Sequence, residues 1–396
     1  MAPEGAALSA RATAARDPLA PEFVLEILQS LVRIPSVNPT LAPDEGGGEA
    51  EIAGFVRDWL DARGIEARLE EAAPGRPNVF GSVGADQGPT LVFCAHLDTV
   101  GTAGMTIPPF EPRVEGNRVY GRGSFDMKGG VAAILAAAVA LRDAGLGGRV
   151  LLALVADEEY TSLGADDFVR RHRADGCILT EASEGRLITT TKGFAWIEAR
   201  TEGRAAHGSR WDLGVSAIAR MGRIVAALDE LDRRILRTRT HPLVGPASLH
   251  CAKIDGGVGY STYAPSCTLV VERRTLPGET PESALEEMRS TIAGAGEEAD
   301  LSIVFSRPPL TCDPGAKVAR AAREAIWAIH GEPAQEAGVP FWMDAAVFGQ
   351  AGIPAVDYGP TGFGAHEAVE WVDLDSVVRT AQVLAEAARR FTADPS

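Results

Sequence analysis

Several stretches of the chain end an apolar strand, or open a glycine-rich turn, on a side chain able to bind a metal ion. LVFCAHLDTVG, residues 91–101, runs apolar into His96, and Asp98 follows two positions on, so both side chains leave the strand end on one face. GRGSFDMKGG, residues 121–130, sets Asp126 at the mouth of a helix. LLALVADEEY closes a buried strand on the adjacent pair Glu158 and Glu159, GCILTEAS repeats the device with Glu181, and GPTGFGAHEAVEWV carries His366 in a glycine-rich loop. Alone, each has a plainer reading: a satisfied polar pair, a helix N-cap, a solvated acidic loop. Together they carry more weight. Neighbouring carboxylates at the end of an apolar strand repel each other unless cations hold them. A His, Asp and Glu set without cysteine suits zinc or a similar divalent ion, and a carboxylate is able to bridge two of them. A dinucleotide reading of the Gly121-x-Gly123 turn fails, because the third glycine is missing and no strand feeds it cleanly.

The elements that must hold these groups alternate. Helical periodicity opens at PEFVLEILQSLVRI and returns at EAEIAGFVRDWLDARG, where Gly64 is a stop signal. Strands follow at RPNVFGSV and PTLVFCAH, then a helix at GGVAAILAAAVALRDAG and strands at GRVLLALVA and GCILTE. This order predicts an α/β fold with a mixed, mostly parallel sheet flanked by helices, and ligands beyond the carboxyl ends of its strands. From about Lys192 the pattern becomes β-α-β-β-α-β: FAWIEART, GVSAIARMGRIVAALDELD, ASLHCAKI, CTLVVERR, TPESALEEMRSTIAG with Thr280 as N-cap, and DLSIVF. That is the split βαβ, ferredoxin-like order of an inserted α+β domain, placed at 192–306. The first style then resumes with AKVARAAREAIWAIHG and IPAVDYG. Residues 21–191 and 307–396 are thus expected to form one metal-binding catalytic domain, and residues 1–20 a disordered, Ala-rich tail.

Composition narrows the class. The formal net charge is -16, from 38 Lys+Arg against 54 Asp+Glu, and no basic patch is visible, which argues against nucleic acid or an anionic membrane surface as partner. The five cysteines are scattered without a C-x-x-C pair, as expected of reduced thiols in a cytoplasmic protein. The first twenty residues lack the apolar segment of a signal peptide, and the run Val131–Leu141 is too short to span a bilayer.

Taken in order, H-L-D, G-x-x-D-M-K-G-G, D-E-E, the later Glu181 and A-H-x-x-x-E resemble the M20 family of metallopeptidases and amidohydrolases. That group includes acetylornithine deacetylase, succinyl-diaminopimelate desuccinylase, aminoacylase-1 and the glutamate carboxypeptidases. The resemblance implies two divalent ions, zinc first, with cobalt or manganese as alternatives. Asp126 would bridge them, His96 and Glu181 would complete one site, and Glu159 and His366 the other. Asp98 would orient His96 and Glu158 would be the general base. A cis peptide after Asp126 is implied as well.

The inserted segment, on the same resemblance, is a dimerisation or lid domain. His207, in GRAAHGSR, matches the histidine that reaches the reacting carbonyl from the partner subunit of a homodimer. VERRTLPGE matches D-x-R-x-x-P with Glu272 in the aspartate place and Arg274 as a carboxylate clamp, although a surface ion pair would read the same way. Many relatives carry an asparagine where IDGGVGYSTYAPSC has Ser261, a departure that touches carboxylate binding and leaves the metal chemistry alone. PFWMDAAVFG adds Phe341 and Trp342, next to Asp344, as apolar surface near the cleft. The implied substrate is an N-acyl amino acid or short peptide-like amide. A metal-dependent dipeptidase or carboxypeptidase is the alternative, and an inactive metal-binding relative is disfavoured by the retained Glu158.

Overall fold

The apolar run ending in His96 is a strand whose seven residues, Thr90–His96, are all buried. Its side chains divide by parity, Leu91, Phe93 and Ala95 entering one core and Val92 and Cys94 the other. A strand buried on both faces needs helices on both faces. The computed structural model, which describes residues 17–393 apart from Gly46, supplies them. Pro21–Val32, Gly129–Leu141, Lys317–His330 and Leu374–Ala393 pack on the first face, and Leu163–Arg171 and Ala345–Gln350 on the second.

The strands of the two main sheets, in chain order, are β1 (Ala67–Ala73), β2 (Arg76–Gly84), β3 (Thr90–His96), β4 (Arg149–Val155), β5 (Gly176–Leu179), β6 (Leu187–Thr191), β7 (Gly193–Glu202), β8 (Ser248–Gly256), β9 (Ser266–Thr275), β10 (Asp300–Arg307), β11 (Glu336–Val339) and β12 (Ala355–Asp357). The larger sheet has the order β1-β2-β4-β3-β5-β12-β6-β11. Its centre, β4-β3-β5-β12, is parallel, and antiparallel pairs lie toward the edges. The carboxyl ends of the four central strands therefore face one way.

Gly129–Leu141 is buried except for the half-buried Val139 and Ala140, and its small residues let it lie close to the sheet. A Cβ on Gly130 would come within 2.2 Å of the Thr180 carbonyl oxygen. Together with the turn before it, Ser124–Leu141 has the length and apolarity to cross a bilayer, yet 83% of that stretch is inside the fold, as befits a core helix.

The smaller sheet has the order β8-β9-β7-β10, all antiparallel, with Ala217–Arg234 and Pro281–Gly294 on one face. This is the strand order of the split βαβ motif. Thr280 caps the second helix, accepting from the Ser283 N–H at 3.1 Å while the Ser283 hydroxyl contacts the Thr280 N–H at 3.0 Å. Two short antiparallel ribbons, Arg113–Glu115 with Arg118–Tyr120 and Gly362–Phe363 with Trp371–Asp373, join into a third sheet that braces the loops carrying Asp126 and His366. Of the expected N-terminal tail, residues 1–16 lie outside the described residues. Residues 17–20 form a turn into the first helix, closed by the Ala20 N–H on the Asp17 carbonyl at 3.1 Å.

Candidate metal centre

The five donors meet beyond the carboxyl ends of β3, β4, β5 and β12. His96 is the last residue of β3, Glu158 and Glu159 follow β4, Glu181 follows β5, and His366 sits in the loop after β12. Asp126 lies in the turn that enters the buried helix, and its peptide bond to Met127 is cis. One carboxylate oxygen of Asp126 is 3.2 Å from His96 Nε2, and the other is 3.3 Å from His366 Nε2. Glu181 approaches His96 Nε2 at 3.5 Å, and Glu159 approaches His366 Nε2 at 2.9 Å. Two groups result, His96–Asp126–Glu181 and Asp126–Glu159–His366, each with ligand atoms within 4.8 Å of one another and with Asp126 common to both.

The charges fit a pair of cations. Asp126, Glu158, Glu159 and Glu181 bring four carboxylates to a site with only two imidazoles, and Glu159 Oε1 is buried without a hydrogen-bond partner. Burial pushes Glu181 up to about 8 and Glu158 well above the usual carboxylate range, with Glu181 adding to the latter. Burial opposes protonation of His96, but the surrounding carboxylates, Glu181 foremost, outweigh it and raise the imidazole well above normal. Hydrogen bonds to Asp126 and Glu159 lift His366 to about 10. A buried excess of carboxylates is costly unless compensated. Nitrogen and oxygen donors without sulfur match zinc or another divalent ion.

Neighbouring groups hold the donors. His96 Nδ1 donates to the main-chain carbonyl of Asp98 at 2.9 Å, leaving Nε2 for a ligand, and the Asp98 carboxylate stands 3.6 Å from Nδ1. That carboxylate instead accepts the N–H groups of Glu158 and Glu159, both at 3.2 Å, and the Asn38 amide at 2.8 Å. Asp98 thus positions the ring through its backbone and the acidic turn through its side chain.

Glu370 accepts from the N–H groups of Gly123, Phe125 and Asp126 at 2.9–3.1 Å and pairs with Arg122 at 2.7 Å, pinning the turn that presents Asp126. Asp357 accepts the Glu181 N–H at 2.7 Å. Glu370 was visible in A-H-x-x-x-E without a role, whereas Asn38 and Asp357 carry no local signal. Asp157, Ser162, Glu184 and His366 have left-handed backbone and surround the centre, the clustering expected where a site overrides local preference.

The centre opens into a cavity of about 590 Å³, also lined by Glu158, Arg274, Phe341 and Trp342. Arg274 comes from β9 and donates through Nε to Glu272 Oε1 at 2.7 Å. His207 and Ser261 are not among the lining residues. They sit together on an exposed loop pair of the inserted segment, where the Gly208 N–H donates to the Ser261 carbonyl at 2.7 Å. Exposed apolar side chains lie on the same segment, among them Trp211 at 81% and Val258 at 70%.

Residues 92–390 match the model of a protein family described as peptidase family M20/M25/M40. Over 380 residues the chain is 28% identical to the acetylornithine deacetylase of Vibrio cholerae, covering 94% of this chain and 99% of that protein. Among solved structures it resembles an M20 family metallo-carboxypeptidase from Sulfolobus solfataricus, with a TM-score of 0.77 at 18% identity over 94% and 99% of the two chains. It also resembles a dinuclear metal-binding peptidase of the M20 family from Bacillus subtilis, with a TM-score of 0.70 at 19% identity over 94% and 98%.

Proposed function

The chain belongs to peptidase family M20/M25/M40, and from that premise we propose that it hydrolyses the amide bond of N-acyl amino acids. The observation that carries this reading is the paired donor set around Asp126, with Glu158 beside it and an arginine across the same cavity. His96, Glu181 and Asp126 would hold one divalent ion, and Glu159, His366 and Asp126 the other. When bound, the ions supply Lewis acidity to a water molecule and to the scissile carbonyl. Glu158 takes the proton of that water as its oxygen bonds to the carbonyl carbon, then returns it to the nitrogen as the C–N bond breaks. The products are a carboxylic acid and the free amine. In the cluster alone Glu158 is held up by burial and by Glu181, and divalent ions bound among these carboxylates would lower it toward the range of a group that serves as both base and acid. Zinc or cobalt protein assayed on a panel of N-acyl amino acids and dipeptides tests the assignment. Turnover of dipeptides alone would replace it with a dipeptidase.

Arg274 is the group for a free α-carboxylate. Its Nε is engaged by Glu272, so the terminal nitrogens are those available to a ligand. Arg274→Ala should lower kcat/KM for acid substrates by about 2 kcal/mol, the scale of a charged hydrogen bond, and affect carboxamide analogues less. Equal losses on both would make Arg274 structural.

We place the working assembly as a homodimer through the inserted segment, with His207 acting on the neighbouring chain's substrate carbonyl. The support is the exposure of His207 and Ser261 amid apolar side chains, outside their own chain's cavity. Mixing inactive His207→Ala with inactive Glu158→Gln chains should restore part of the activity through hybrids. No recovery after verified subunit exchange would remove His207 from the mechanism in trans.

A further inference from the structure

We propose that the amino-acid side chain of the substrate is aromatic and is selected by the face of the inserted sheet that looks into the metal cavity, a statement that rests on the acyl-amino-acid reading above. The helices of that segment cover one face of its sheet, and the other face presents two cross-strand rows. In one row Phe194 of β7 lies between Arg274 of β9 and Arg307 of β10. In the next, Trp196 lies between Glu272 and Phe305. All but Glu272 line the cavity.

The rings form a continuous surface. Centroids are 5.3 Å apart for Phe194 and Trp196, 5.4 Å for Trp196 and Phe305, and 5.9 Å for Phe194 and Trp342, the last pair nearly perpendicular at 84°. Separations and tilts of this kind leave faces and edges that another ring is able to match.

The carboxylate hook is built into the same surface. The Arg274 guanidinium carbon lies 5.3 Å from the Phe194 centroid. Glu272 accepts Arg274 Nε with one oxygen, at 2.7 Å, and Trp196 Nε1 with the other, at 3.0 Å. One carboxylate therefore orients both the arginine and the indole. A substrate held by its α-carboxylate at Arg274 places its next substituent, the side chain, against these rings.

Charge excludes the basic alternative. The carboxylates lining the cavity are those of the metal centre, Asp126, Glu158, Glu159 and Glu181, together with Glu184, which is exposed and 3.3 Å from Arg186. Outside the carboxylates of the metal centre, a cationic side chain meets only Glu184, already paired with Arg186, among the described lining residues, and Arg307, engaged by Asp166 at 2.7 Å, adds positive charge. The cavity should thus disfavour N-acetylornithine.

The test is kcat/KM of the metal-loaded enzyme for N-acetyl-L-phenylalanine, N-acetyl-L-alanine and N-acetyl-L-ornithine, with binding of free L-phenylalanine and L-ornithine followed by calorimetry. Phenylalanine should be preferred over ornithine and alanine by roughly tenfold or more. Trp196→Ala should shrink the phenylalanine-to-alanine ratio several-fold, and Trp196→Phe should largely keep it. Phe305→Leu provides the same reading should Trp196→Ala fail to fold. Parity between phenylalanine and ornithine, or a ratio unmoved in a folded, metal-loaded Trp196→Ala protein, overturns the inference. If no acyl substrate is cleaved, the acyl-amino-acid reading falls and calorimetry alone decides the side chain: tighter phenylalanine sustains it, and equal affinities end it.

Discussion

Glu158→Gln should leave a folded protein with its full metal content and a turnover reduced about a thousandfold or more, the loss expected when a general acid–base group is removed from an intact site. Glu158 belongs to neither donor group, so an isosteric amide should not empty the centre. Its N–H is held by Asp98, so the turn should keep its shape. What the amide lacks is the ability to take a proton from water and hand it to the leaving nitrogen. The measurement is single-turnover hydrolysis alongside elemental analysis and circular dichroism. Substantial residual activity would move the base elsewhere, and the first candidate would be Asp344. Its carboxylate is buried beside Ser162, and burial holds it up at about 7.

Asp126→Ala should abolish activity and take the metal content from two ions per chain to one or none. Each Asp126 oxygen faces a different histidine, so one substitution removes a ligand from both groups. Retention of two ions after gel filtration in metal-free buffer would refute a shared ligand. The sign of the pH effect follows from the same cluster. Without metal, carboxylate neighbours raise His96 despite burial and burial raises Glu181 to about 8, so this contacting pair holds a proton between them at neutral pH. The pair must lose that proton to coordinate. Metal binding at pH 7 should therefore release protons, and affinity should weaken as pH falls. Calorimetry in buffers of different ionisation enthalpy reads the number released. No release would mean that these groups are already deprotonated.

The sequence by itself determined which residues are available for metal chemistry and on which elements most of them lie. Apolar runs that stop at His96, Glu158 and Glu181 are local patterns, and burial on both faces of β3 and β4 is what such runs mean physically. Two- and three-residue strands such as Gly362–Phe363 and Trp371–Asp373 are too short to show any alternation, and only their hydrogen-bonded partners, distant in the chain, define them. Spacing likewise left open which carboxylate joins which histidine, and only the family resemblance implied an answer. In the structure that partition follows from the non-sequential order β4-β3-β5-β12, which sets Glu181 beside His96 and brings His366 across from Glu159. The orienting carbonyl of Asp98, the clasp of Glu370 and the aromatic rows were equally out of reach. The rows depend on the register of β7 with β9 and β10, including the bulge between Ile303 and Phe305 that sets Phe305 beside Trp196. Local periodicity reports which face a residue takes. Backbone pairing between distant segments decides its neighbours, and neighbours are what make a ligand set or a binding wall.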